Sequence, residues 1–147
     1  MLEGRYLGLD VGSKTIGVAI SDALGWMAQG HSVIRRRSME NDLEQLAALV
    51  EEYQIISIVV GLPKNMNNSL GAQADVSMAF ADMLRERFSM EVVLWDERLT
   101  SSEAKKRMQV TGTGRAKQKQ IIDQVAAEII LSNYLDFLKT KPSKATL

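Results

Sequence analysis

The chain has 147 residues, 46% of them hydrophobic and 24% charged, which suits one globular domain with a sizeable core. It has no cysteine and one histidine, so disulfides, thiol catalysis, cysteine-based zinc sites and histidine dyads are excluded. Net charge is zero but unevenly distributed: Met1 to Glu97 carries 8 basic and 14 acidic residues, Arg98 to Leu147 10 basic and 4 acidic. A basic C-terminal third is either a phosphate-binding face or a solvated helix surface. No apolar run approaches the roughly 20 residues that span a bilayer, and the N-terminus lacks a basic-then-apolar leader; no membrane partner and a cytoplasmic location are expected.

Tyr6 to Asp22, YLGLDVGSKTIGVAISD, reads as a strand over Tyr6–Leu9, a Gly12-Ser13-Lys14 turn and a strand over Ile16–Ile20. Asp10 ends the first strand. There its carboxylate loses water unless a cation or donors meet it, the alternative being an Asx turn. Met27 to Ile34 is a third strand interrupted by Gly30 and His31. Arg35-Arg36-Arg37 either touches a polyanion or is merely exposed. Ser38 or Asn41 caps a helix with Leu43, Leu46, Ala47, Leu49 and Val50 on one face, ending near Tyr53.

Ile55 to Val60 is apolar enough for a central strand covered on both faces, and Gly61-Leu62-Pro63 stops it. After a polar loop from Lys64 to Gly71, Ala72 to Phe88 reads as a helix with Val76, Ala79, Phe80, Met83 and Leu84 inward. Val92 to Trp95 is the last strand, with a helix starting near Thr100 or Ser101. Val110 to Ala116 reads as a mobile loop, and Lys117 to Leu138 as a long amphipathic helix presenting Ile122, Val125, Ala126, Ile129, Ile130, Tyr134 and Phe137. The expected organisation is a single α/β domain over 1–138 and a basic, frayed tail over 139–147.

Asp10, the Asp96-Glu97 pair and Asp123 stand where folding needs no acid. The strand ends of an open α/β sheet gather on one edge, where ligands bind. Carboxylates converging there repel one another unless a divalent cation neutralises them, and such oxygen donors suit Mg²⁺ or Mn²⁺. The alternatives are local: Asp96 pairs with Arg98 or caps a helix, and Asp123 pairs with Lys119. Lys14, Lys64, Arg98, Lys105, Lys106, Arg107, Arg115 and Lys119 are candidates for phosphate contacts, which give affinity but not sequence choice. His31 has no assigned role. Aromatic residues are too few for a base-stacking platform.

LGLDVGSKTIGVAISD, VVGLPKNMNNSLG, DERLTSSEAKKRM and IIDQVAAEIIL resemble, in order and spacing, the YqgF (RuvX) family of small bacterial proteins, related to the resolvase RuvC. The resemblance covers about Arg5 to Leu135. It implies a ribonuclease H-like fold, a five-stranded mixed sheet of order 3-2-1-4-5 with helices on both faces. It also implies that Asp10, Glu97 and Asp123 are catalytic and hold Mg²⁺ or Mn²⁺; Asp96 is the alternative ligand should Glu97 fail to reach. The implied activity is a metal-dependent nuclease hydrolysing phosphodiester bonds in structured RNA, processing the 16S rRNA precursor during ribosome biogenesis. Partners would be the rRNA precursor and the ribosomal particle, and the chain a monomer or weak homodimer. Two alternatives stand: a Holliday junction resolvase acting on branched DNA, and a non-catalytic nucleic-acid-binding, transcription or ribosome-assembly factor. The turn after Asp10 is also like that of actin-like ATPases and sugar kinases, but the chain is too short for their second lobe. Met66-Asn67-Asn68-Ser69 and Ser101 depart from the family pattern, away from the proposed ligands. One requirement is geometric: a strand two places away lies roughly 10 Å off at backbone level, so Glu97 must lean inward to meet Asp10.

Overall fold

Two apolar runs around a glycine turn open the fold as the hairpin β1 (Arg5–Val11) and β2 (Thr15–Ser21), closed by the Gly12 N–H donating to the Thr15 carbonyl at 2.8 Å. The computed structural model describes residues 4–63, 71–97 and 115–140, with side chains of the last segment from residue 122 onward. β1 continues past Asp10, so this residue lies inside the strand rather than at its end, opposite Gly17. β3 (Ala28–Arg35) adds an antiparallel edge. Its expected interruption is a bulge: Val18 pairs with Ser32 and Ala19 with Gly30, leaving His31 as the extra residue.

α1 (Met39–Glu52) starts at Ser38, not Asn41. The Ser38 hydroxyl accepts from the Asn41 N–H, and Glu40 and Asp42 favour the first turn electrostatically. β4 (Ile55–Leu62) is the buried central strand. It runs on through Gly61 and Leu62, which pair with Trp95 and Asp96 of β5 (Glu91–Asp96). α2 (Ala72–Phe88) has the expected limits, but its inward face is Ala74, Ser77, Phe80, Ala81 and Leu84, whereas Ala79 and Met83 are exposed.

The sheet order is β3-β2-β1-β4-β5, antiparallel across the first three strands and parallel from β1 to β5. This is the order the resemblance implies. Alternation along β1 divides the core. Leu7, Leu9 and Val11 pack with Leu43, Leu46, Phe80 and Leu84 of α1 and α2. The other face, carrying Gly8 and Asp10, is covered by α3 (Arg115–Thr140), whose Ala127, Ile130, Leu131, Tyr134 and Leu135 pack on Ala19 and Val59. Glycine lets α3 settle close to the strands: a Cβ on Gly8 would stand 2.7 Å from that of Leu131.

α3 begins two residues before the expected start and takes in Arg115 and Ala116. It also absorbs Lys139 and Thr140, assigned above to the tail. The Lys139 Nζ donates to the Trp26 carbonyl at 2.7 Å and stands 5.1 Å from that ring's centre, which holds the helix end down. Residues 64–70 of the loop expected over 64–71, the helix near 100–101, most of the 110–116 loop and the tail from 141 lie outside the described residues. Among the described residues no helix is long and apolar enough to cross a membrane.

Candidate active site

Asp10 points to the α3 side of the sheet, and its cross-strand partner is Gly17. The α3 backbone lies directly on that glycine, where a Cβ would collide with the Asp123 carbonyl. The contact sets Asp123 down on the strand beside Asp10. Thr15, two residues before Gly17 and on the same face, donates its hydroxyl to Asp123 Oδ2 at 2.9 Å. A charge-assisted bond of this kind helps fix the carboxylate's rotamer.

Glu97 approaches from the opposite side. It follows β5, two strands from β1, and Gly61 of β4 lies between. Val60 pairs with Leu9, so the next residue, Gly61, sits level with Asp10. The Glu97 carboxylate rests over it: a Cβ on Gly61 would stand 3.0 Å from Glu97 Oε2 and 3.2 Å from its Cδ. Glu97 thus leans inward, as a site shared with Asp10 requires. Burial, then the charge of Asp10, then that of Asp96, push the Glu97 carboxyl from 4.5 up to about 7.

Asp96 is placed differently. Leu94 packs against the α1–α2 cluster and Trp95 against Tyr134 and Phe137 of α3, so strand alternation sends Asp96 back toward α1 and α2. Glu97, one residue on, shares the face of Asp10.

Two long polar side chains hold the backbone just after Asp10. Gln73 at the start of α2 donates Nε2 to the Val11 carbonyl at 2.6 Å, and an Arg36 terminal nitrogen donates to the Gly12 carbonyl at 3.0 Å. Arg36 is itself anchored. Its Nε meets the buried Asp42 Oδ2 at 2.9 Å, and its guanidinium lies 5.2 Å from the Phe80 ring centre. The middle arginine of the basic triplet is therefore scaffold, while Arg35 and Arg37 are exposed. Nothing in the sequence singled out Gln73 or Thr15, because each acts on a residue distant in the chain.

The donor set is chemically uniform. Asp10, Glu97 and Asp123 offer hard oxygens, and the only histidine, on β3, is engaged with Ser32 and Tyr53. Among the described residues no group of three or more acidic or histidine side chains is drawn tightly enough to cage a metal alone. Glu97 feels the charge of Asp10, and the Asp123 backbone lies over Gly17, the cross-strand partner of Asp10. Two carboxylates in mutual repulsion, one partly desolvated, fit a divalent cation that prefers oxygen and retains water ligands, as Mg²⁺ and Mn²⁺ do.

Of the basic candidates, Lys14 is exposed in the turn between β1 and β2. Arg115 and Lys119 occupy the first turns of α3, of which the backbone is described. Lys64, Arg98, Lys105, Lys106 and Arg107 lie outside the described residues.

A family model described as "RuvX: Holliday junction resolvase" matches residues 4–137. The chain belongs to the RuvX family. A RuvX relative from Thermoanaerobacter pseudethanolicus, named "Putative pre-16S rRNA nuclease", is 50% identical over 138 residues, 93% of this chain and 99% of its own. One from Clostridium tetani with the same name is 48% identical over 137 residues, again 93% and 99%. Among solved structures, T. thermophilus RuvC in complex with a Holliday junction substrate superposes with a TM-score of 0.58 at 10% identity, covering 93% of this chain and 97% of that one. At that identity the likeness is one of fold, and RuvX shares the ribonuclease H-like sheet and helix arrangement. Asp10, Glu97 and Asp123 all fall within the RuvX match.

Proposed function

We propose that this chain is a divalent-metal-dependent nuclease that hydrolyses phosphodiester bonds in structured RNA, with the precursor of 16S rRNA as substrate. The observation that supports it most is the Glu97 carboxylate lying over Gly61 beside Asp10, partly buried and raised to about 7. A chain that needed these acids only for folding would not bring two of them together across a strand, at a cost in desolvation and repulsion.

Asp10, Glu97 and Asp123 hold Mg²⁺ or Mn²⁺ in this reading. The bound ion would make water a nucleophile at neutral pH and stabilise charge on the leaving oxygen. The protein's own part is positional: Gln73 and Arg36 fix the backbone after Asp10, and Thr15 fixes Asp123. Lys14 and the basic residues from Arg98 onward contact the phosphate backbone. The rRNA substrate is supported by the names of relatives that match over nearly their full length.

A second substrate, four-way DNA, is favoured by the family model's description. Resolving a junction takes two coordinated cuts and hence a dimer, whereas RNA trimming can be done by a monomer. Side-by-side cleavage of a 16S rRNA precursor and a four-way junction, with Mg²⁺, Mn²⁺ or chelator, separates the two. The expected result is metal-dependent cleavage of the RNA, abolished by Asp10→Asn. Equal activity of Asp10→Asn in chelator would refute the nuclease assignment.

A further inference from the structure

We propose that Gly61 is a positioning residue: the space left by its missing side chain is the passage through which Glu97 crosses β4 to reach Asp10. The inference rests on the metal-site reading above. A glycine inside a central strand weakens it and gives nothing to pack, so it calls for a local reason. Backbone conformation supplies none, since among the described residues the positive-φ glycines are Gly4 and Gly25 and Gly61 is not among them. The reason lies in the space above it. A Cβ at this position meets two groups: Ile130 Cδ1 of α3 at 2.5 Å and the Glu97 carboxylate at 3.0 Å from Oε2. The first contact concerns the packing of α3. The second concerns the site.

The two contacts are separable, because Ile130→Val removes the Cδ1 atom and leaves Glu97 untouched. In Gly61→Ala/Ile130→Val, packing on α3 is relieved and only the obstruction of the carboxylate remains. A shift of the Glu97 carboxylate by a few tenths of an ångström misplaces an oxygen of the site it forms with Asp10.

The test is Mn²⁺ titration by electron paramagnetic resonance on the wild type, Ile130→Val, Gly61→Ala/Ile130→Val and Glu97→Gln, with thermal unfolding of each. Ile130→Val should bind Mn²⁺ as the wild type does. The double variant should unfold as cooperatively as Ile130→Val but bind Mn²⁺ about ten-fold more weakly, the range for misaligned metal ligands. Adding Glu97→Gln to the double variant should weaken binding little further, since the ligand is already displaced. A double variant that binds as tightly as Ile130→Val overturns the inference and makes Gly61 a packing residue, with the metal site intact. Undiminished binding by Glu97→Gln overturns the metal-site reading itself, and this inference with it. Should Gly61→Ala alone fail to fold, the double variant still carries the comparison.

Discussion

The Thr15 hydroxyl on β2 donates to Asp123 Oδ2 on α3 at 2.9 Å, joining residues 108 positions apart in the chain. The bond ties the first hairpin to the last helix at the rim where Asp10 stands. Thr15→Val removes this donor and keeps the shape, so the carboxylate is held less firmly. A hydrogen bond to a charged group contributes roughly 1.5–3 kcal/mol, so RNA cleavage should fall by about ten-fold or more in kcat/KM. Thr15→Ser should recover most of the loss, and steady-state kinetics on the three proteins checks it.

Glu97 makes the metal-free protein pH-sensitive. Its folded pKa, about 7, lies above its ordinary 4.5, so between those values the folded chain keeps a proton that the unfolded chain has released. Stability contributed this way is present at low pH and declines as pH rises through that window. Glu97→Gln should therefore raise Tm at pH 8, by on the order of 5 °C, and change it little at pH 4. Mn²⁺ affinity should show the complementary trend, tightening as pH rises toward 8, because the ion displaces the proton. Melting curves at two pH values and a Mn²⁺ titration series test both halves.

Asp42 is 1% exposed and its partner Arg36 holds the Gly12 carbonyl. Asp42→Ala leaves a largely buried guanidinium without its ion pair, which should cost about 3–5 kcal/mol in chemical denaturation. Activity should fall as well in the fraction that remains folded, because Arg36 then holds the backbone after Asp10 less firmly.

Close seating of α3 predicts that small residues cannot be enlarged beneath it. Gly8→Ala places a Cβ 2.7 Å from Leu131 Cβ and 3.2 Å from the Ala127 carbonyl. The helix must move to make room, with an expected loss of about 1–3 kcal/mol in urea unfolding. Leu131→Ala in the same background should not restore stability, since Leu131 Cβ, the atom in closest conflict, is retained.

The opening hairpin, the buried central strand and the limits of α2 were legible in the sequence because local patterns carry them: a glycine turn, a run of β-branched residues, helical spacing between turns; the strand order came only with the family resemblance. Asp10, Glu97 and Asp123 were legible as candidates from the family motifs. Less visible was what brings them together. Glu97 reaches Asp10 only because Gly61 is bare, and Asp123 descends only because Gly17 is bare, and these are relations between strands that no single stretch encodes. The inward face of α2 was misjudged at Ala79 and Met83 because apolar spacing does not say which of two adjacent stripes meets the sheet. Arg36 looked like one of three surface charges, since its buried partner Asp42 passes equally well for a first-turn acid of α1.

The central claim is that acids from separate strands share one cation. A double-mutant cycle of Mn²⁺ affinity over wild type, Asp10→Asn, Glu97→Gln and the double variant tests it most directly. Ligands of a single ion should give strongly non-additive losses, the second substitution costing little once the first is made. Independent, additive losses, or no Mn²⁺ binding by the wild type, would contradict the account.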